Sequence, residues 1–424
     1  MNSTSVWSSE VPIKATVRLL AARPVEVALA AGVVFRLVAY LSDRPYWMDE
    51  GSIVGCILGL DRSGLFGPLG STQLAPPGFL ASEWAAIHLF GVSRFAFRLV
   101  PLLTGLISLF LFRDLARRCL SGRGEVFAVS LFAVMDDLIY FASEVKQYSS
   151  DLALTLLCLG VASRVDRGPR SAKQALGLVI LGVGVVWCSH PSIFTLAAIG
   201  TVGLIRALGG RDAKRSAAWI GVGLAWLASF ALVHAVAMRQ LGHRRDMWAF
   251  WDFAFPTIPP RSSWDLIWPI RRVAFLFASP LNFDAPFLDP RWSIWPAFAL
   301  MIFGSARMIR DQPSWWFRLI LPGGFALVAA YLRFYPFHGR LLLFFAPLLL
   351  VPVAAGLEAI RPKIPRRLLM IWVVGFPILA ATYHLFEPYQ RDHNPYGDRR
   401  PSSLNPYRFP LGPLPRAYGP QPKD

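Results

Sequence analysis

The chain has 424 residues, 54% hydrophobic and only 16% charged, with a mean hydropathy of +0.45. That charge content lies well below the roughly one quarter usual in soluble domains, and apolar runs long enough to span a bilayer recur along the whole length, so the composition excludes a soluble globular protein and indicates a polytopic membrane protein. The net charge of +17 does not indicate nucleic acid, because Lys and Arg sit mainly in short clusters between apolar runs, where they set topology, and basic-aromatic interleaving of the RNA-binding kind is absent.

Runs this long and continuously apolar predict helices, since barrel strands would alternate. The first 23 residues are polar and no small-residue cleavage site follows the first apolar run, so a cleavable signal peptide is not expected. Spans are expected near 24–41, 98–116, 124–141, 147–163, 173–189, 191–208, 216–238, 291–309, 317–333, 339–357 and 367–386, about eleven in all. Basic clusters such as "RDLARRCLSGRG", "SRVDRGPRSAK" and "RPKIPRR" follow every second span. With Lys14, Arg18 and Arg23 they place the N-terminus (1–23) in the cytoplasm, and an odd number of spans places the C-terminus outside. The run 75–91 is too short and mixed to span; Pro76 and Pro77 open it, and we expect a helix lying along the outer membrane surface. The first outer loop is then 42–97. A second long outer loop, 239–290, is rich in Trp, Pro and Arg, and Trp suits a membrane interface. The tail, 387–424, has nine prolines in 38 residues and is expected to be extended. The cysteines at 56, 119, 158 and 188 form no Cys-x-x-Cys pair, so neither a metal site nor a disulfide framework is expected of them. No internal repeat is evident.

Polar, titratable residues gather on the outer side of this threading. Asp49 and Glu50 lie in the first loop, within "RPYWMDEGSIVG"; "SEVKQYSSD" (143–151), "SHPS" (189–192) and "YPFHGR" (335–340) are outer turns. Titratable groups from separate loops converging on one membrane face are the usual signature of a site. Each has a simpler reading too. The carboxylate pair can serve a helix N-terminus, His190 can cap a helix, and Arg340 can snorkel to the interface. Asp136 and Asp137, at the outer end of an apolar span, need a partner or water, and Arg36 in the first span is a candidate counter-ion.

The order of these motifs resembles the GT-C fold glycosyltransferases, polytopic enzymes that use polyprenyl-phosphate sugars, and within them the bacterial branch related to protein O-mannosyltransferases and aminoarabinose transferases. The similarity runs over roughly 24–386: a carboxylate pair in "WMDEG", a Pro-Pro segment and surface helix in "LAPPGFLASEWAAIHLFG", an Arg-Leu-x-Pro start in "FRLVPLLTGL", "YFASEVKQYSSDLAL", and a late outer-face motif in "YPFHGRLLLFFAP". The chain departs from the pattern in ending on a Pro-rich tail where many relatives carry a folded domain, and in having Lys146 where arginine is common.

The resemblance implies an all-α GT-C-like bundle in the plasma (inner) membrane. Its donor would be a polyprenyl-phosphate-linked sugar and its acceptor a lipid, glycan or protein hydroxyl outside the cytoplasm. Asp49 is the expected general base, with Glu50 positioning it or the acceptor. Candidates for substrate binding are Glu144, Lys146, Tyr148, Asp151, His190, Arg244, Arg245, His338 and Arg340, the cations among them stabilising the departing lipid phosphate. Some members of the family use a divalent ion; Mg or Mn here would fall to Asp49, Glu144 and Asp151, though no spacing requires it. A transporter or lipid flippase is the rival reading, and a polyprenyl-linked glycan polymerase or ligase a third. A transporter would be marked by inverted repeats and charges at mid-depth, neither of which the sequence shows.

Overall fold

A computed structural model of the chain describes residues 23–386, apart from 61–63, 68, 70–72, 166–167, 242–245, 284–289 and 362. The described residues contain no strand. The principal helices are α1 (Pro24–Leu41), α2 (Met48–Leu58), α3 (Pro77–Phe90), α4 (Arg94–Cys119), α5 (Arg123–Val134), α6 (Asp136–Phe141), α7 (Tyr148–Ala162), α8 (Ala172–Cys188), α9 (Ser192–Gly209) and α10 (Ala213–Leu241). After the second loop come α11 (Trp268–Phe275), α12 (Trp295–Asp311), α13 (Pro313–Tyr331), α14 (Leu350–Ala359), α15 (Lys363–Met370) and α16 (Phe376–Phe386), the last two joined by a π-helical turn, Ile371–Gly375. Five stretches are long and apolar enough to cross a membrane: Pro24–Leu41, Arg94–Cys119, Ser192–Gly209, Ala213–Met238 and Ile364–His384.

The expected spans 124–141 and 339–357 are not single helices. The run 124–141 breaks at Met135, where ψ is 117°. A helix end leaves carbonyls without donors, and Arg36 supplies them. Its guanidinium donates to Ala133 O at 3.2 Å and Phe132 O at 3.4 Å, as well as to Gly32 O at 3.0 Å. A positive charge at the C-terminal end of α5 also suits the helix dipole. Arg36 is therefore a cap on a broken helix and not the expected counter-ion of Asp136 and Asp137. Asp136 instead meets His384 Nδ1 of α16 at 3.0 Å and Asn282 Nδ2 at 3.5 Å.

The run 339–357 is also interrupted. It makes two short 3₁₀ turns, Gly339–Leu342 and Ala346–Leu349, before α14. Pro347 and Pro352 remove backbone donors. Residues 342–357 are buried throughout, as expected of a segment apolar on every side. The segment is packed within the bundle. α14 lies in backbone contact with α12: a Cβ on Gly304 would fall 1.8 Å from Pro352 O, and one on Gly356 2.2 Å from Leu300 O. Small residues at both faces allow that approach.

The first loop carries its own apolar cluster beside the main core. Ile53, Val54 and Ile57 of α2 pack with Phe79, Leu80 and Ile87 of α3, Phe97 of α4, and Val145. This small core fixes the start of α2 against α4 and the 143–147 turn.

Candidate active site

The site begins at the end of α1. Asp43 takes a positive φ of 43° and is held there by Arg94, which donates from Nε at 2.7 Å and from a terminal nitrogen at 2.5 Å. The chain then runs extended to Trp47 and enters α2. Asp49 and Glu50 fall in its first turn, where the helix dipole favours negative charge. About 100° of rotation separates consecutive helical residues, so the two carboxylates face different surroundings.

Glu50 faces inward and is fully buried. Its Oε1 accepts from Arg98 Nε at 3.1 Å and from Val145 N at 3.0 Å; its Oε2 accepts from Arg98 at 3.1 Å and from Trp47 N at 3.1 Å. Arg98, equally buried, also donates to Arg44 O at 2.8 Å. Arg44 donates in turn to Ser143 Oγ and Ser143 O at 3.0 and 2.7 Å, with its guanidinium 4.1 Å from the centre of the Tyr140 ring. One carboxylate thus joins α2, α4 and the 143–147 turn. The like-charge neighbours of the sequence are reconciled because this one is neutralised inside the protein.

Asp49 faces the other way and accepts from Arg340 at 2.5 Å. Gly339, at φ 45°, turns the chain into Arg340, a conformation glycine adopts without steric cost. The guanidinium stands 5.9 Å from the centre of the Tyr148 ring and interacts electrostatically with Glu144. Lys146 is buried and donates to Gln73 Oε1 at 2.6 Å. Burial pushes its ammonium down to about 8; Asp49 pulls the other way and Arg340 adds to the lowering. Asp49, Glu144, Lys146, Tyr148 and Arg340, drawn from three distant segments, therefore form one cluster.

The remaining candidates flank it. Asp151 stands one helical turn beyond Gln147, beside Ser189 and near Tyr335. His190 lies in the 189–191 turn near His234; burial holds it at about 4, so the ring is neutral. His338 stacks on Phe275, with centroids 4.9 Å apart, and its Nδ1 lies 3.1 Å from an Arg272 nitrogen. Burial first, then Arg272 and Arg340, hold His338 well below the usual histidine range. Its Nδ1 accepts from Arg272 and its Nε2 carries the proton. Arg244 and Arg245 lie outside the described residues.

Three participants were missed from the sequence. Arg98 was visible as a charge within the apolar start of α4. Arg272 is buried, bound to His338 and to Phe253 O, and burial lowers it to about 9; an arginine pair in a Trp-rich loop was its only signal. Gln73 gave no signal. Among the described residues no three His, Cys, Asp or Glu side chains stand close enough to hold one ion. Asp49, one of the ligands expected for a divalent ion, is engaged by Arg340.

This arrangement of helices defines a fold class: the chain is an all-helical polytopic membrane protein with the GT-C fold. Similar solved structures include ArnT from Cupriavidus metallidurans bound to undecaprenyl phosphate, at 14% identity and a TM-score of 0.55, covering 88% of this chain and 67% of ArnT. The apo state of that protein gives 13% identity and a TM-score of 0.53, covering 89% and 67%. The archaeal oligosaccharyltransferase AglB from Archaeoglobus fulgidus, in complex with an inhibitory peptide and a dolichol-phosphate, gives 14% identity and a TM-score of 0.52 over 86% of this chain. The chain spans only 56% of AglB's length. No family model and no curated protein matches the sequence.

Proposed function

We propose that this chain is a membrane glycosyltransferase. It moves a sugar from a polyprenyl-phosphate donor to an acceptor hydroxyl on the extracytoplasmic face, with Asp49 as general base. The observation that carries the reading is the Asp49–Arg340 pair with Lys146 beside it: one carboxylate and two cations joined in one cluster by otherwise distant segments. The GT-C fold, shared with proteins solved with undecaprenyl phosphate and dolichol-phosphate, supports it.

Each group has a role in a single displacement. The acceptor hydroxyl attacks the anomeric carbon and gives its proton to Asp49. The bond from that carbon to the phosphate oxygen breaks, and the polyprenyl phosphate leaves with the electron pair, inverting the centre. Charge builds on the phosphate, and cations fixed in a water-poor site stabilise it strongly. Arg340 and Lys146 supply that charge, Lys146 as the ammonium that predominates below about pH 8. Arg272, whose described hydrogen-bond partners are a carbonyl and a neutral histidine, adds a third positive charge behind His338. Glu50, with both oxygens engaged, positions Asp49 and does not touch substrate.

Purified Asp49→Asn, supplied with a polyprenyl-phosphate sugar, should lose transfer by about two to four orders of magnitude, the usual worth of acid–base help. It should still bind donor. Transfer at near the wild-type rate would remove Asp49 as base, and Glu50 is too enclosed to replace it.

A further inference from the structure

The Asp49–Arg340 cluster adjoins a second group of polar atoms that its chemistry does not use. Asp151 and Ser189 are buried, at 5% and 0% exposure. Gln147 Oε1 and His190 Nε2 are enclosed without a hydrogen-bond partner, and Asp151 Oδ1 and Ser189 Oγ have none beyond their approach to each other. An enclosed polar group left without a hydrogen bond is destabilising, and native proteins hold few of them.

Their placement is determined by helix packing. Thr155 of α7 meets Thr195 of α9 at 3.2 Å. Both helices start at the site end, so one turn back from this contact Asp151 faces the 189–191 turn, and Asp151 stands beside Ser189 accordingly. Gln147 precedes Asp151 by four residues and shares its helix face. Tyr148 lies between them in sequence, its ring 5.9 Å from the Arg340 guanidinium. The polar group thus begins within a helical turn of the cluster that holds Asp49.

We infer that Gln147, Asp151, Ser189 and His190 form the subsite for the donor's glycosyl group, and that the group is a neutral, hydroxyl-bearing sugar. The inference rests on the glycosyltransferase reading above. Gln147 Oε1 only accepts hydrogen bonds and the Asp151 carboxyl keeps an accepting oxygen in either protonation state, so the ligand must bring donors. Sugar hydroxyls do so. An ammonium sugar would also donate, but it would enter beside the positive charges of Lys146 and Arg340. A carboxylate sugar would set acceptor oxygens against the acceptor oxygens of Gln147 and Asp151.

The test uses full-length protein in lipid nanodiscs. Dissociation constants are measured for undecaprenyl phosphate, for undecaprenyl-phosphate mannose and glucose, and for an undecaprenyl-phosphate aminosugar. The proteins compared are wild type, Ser189→Ala and Asp151→Asn, each with a melting curve. Two or three hydrogen bonds net of desolvation are worth roughly ten-fold in affinity. We expect at least one neutral glycosyl lipid to bind the wild type about ten-fold more tightly than undecaprenyl phosphate. In both variants that gain should shrink to within about two-fold. Ser189→Ala, which removes a small hydroxyl whose described neighbour is the Asp151 carboxyl, should leave the melting temperature close to wild type. The subsite is refuted if the gain survives in both variants, or if undecaprenyl phosphate binds and neither neutral sugar improves on it. Tighter binding of the aminosugar lipid overturns the neutral-sugar assignment. No binding of undecaprenyl phosphate by the wild type removes the donor reading itself, and the subsite with it.

Discussion

Glu50→Gln isolates the role of the inner carboxylate. In the structure Glu50 and Arg98 are 0% and 2% exposed, joined by two hydrogen bonds from the guanidinium, while Val145 N and Trp47 N complete the carboxylate. Glutamine keeps the shape and one acceptor. It also turns an NH₂ toward donors and leaves the buried Arg98 charge without a counter-charge, with one amide oxygen at most beside the carbonyls of Arg44 and Pro45. Removing one partner of such a pair costs about 3–5 kcal/mol, whereas replacing both partners with apolar groups of similar volume is often close to neutral. Glu50→Gln and Arg98→Met should therefore each destabilise the protein severely, and Glu50→Leu with Arg98→Met should recover part of the loss, the rest remaining because Val145 N and Trp47 N lose their acceptor. The assay is thermal unfolding in one fixed detergent, alongside transfer from a polyprenyl-phosphate sugar. Stability and turnover should fall together in the single variants, because Asp49 is carried on the turn that Glu50 anchors. A Glu50→Gln protein with wild-type melting and abolished turnover would refute this reasoning and make Glu50 a participant in the chemistry.

Three further outcomes are expected. Lys146 holds the donor phosphate as an ammonium, so donor affinity should fall as pH rises through about 8; Lys146→Arg should remove that alkaline limb, and a limb that persists in the arginine variant belongs to another group. The sign for stability is opposite: the folded value is depressed below the roughly 10.4 of an unfolded lysine, the unfolded chain binds more protons between the two, and the donor-free protein should gain stability across that window. Arg340→Lys should weaken donor binding about ten- to hundred-fold at unchanged melting temperature, because an ammonium cannot hold Asp49 and two phosphate oxygens in the guanidinium's planar geometry; full activity would leave Arg340 an interfacial anchor. In a cysteine-free background, a cysteine at 261 should react with an impermeant thiol reagent in intact cells, and cysteines at 121 and 212 only after lysis; labelling of 121 from outside would overturn the orientation.

The sequence by itself determined the class of molecule and the positions of most helices. Those follow from one-dimensional quantities: the length and apolarity of each run, the prolines at the start of α3, and the sign and spacing of the charges between spans. It also marked Asp49, Lys146 and Arg340 as chemically interesting, since charges beside apolar runs require a reason. It did not distinguish the partners. Asp49 and Glu50 are neighbours in the chain, yet helical rotation sends one to Arg340, 291 residues away, and the other to Arg98. Arg36 looked like a counter-ion and is a helix cap, because a break at Met135 exposes carbonyls that no periodicity shows. Arg272 gained its place only when the second loop brought it to His338. Partner choice depends on distances across the bundle, and those are set by how close the helices approach, as at Gly304 and Gly356, where the absence of two side chains lets one backbone rest on another.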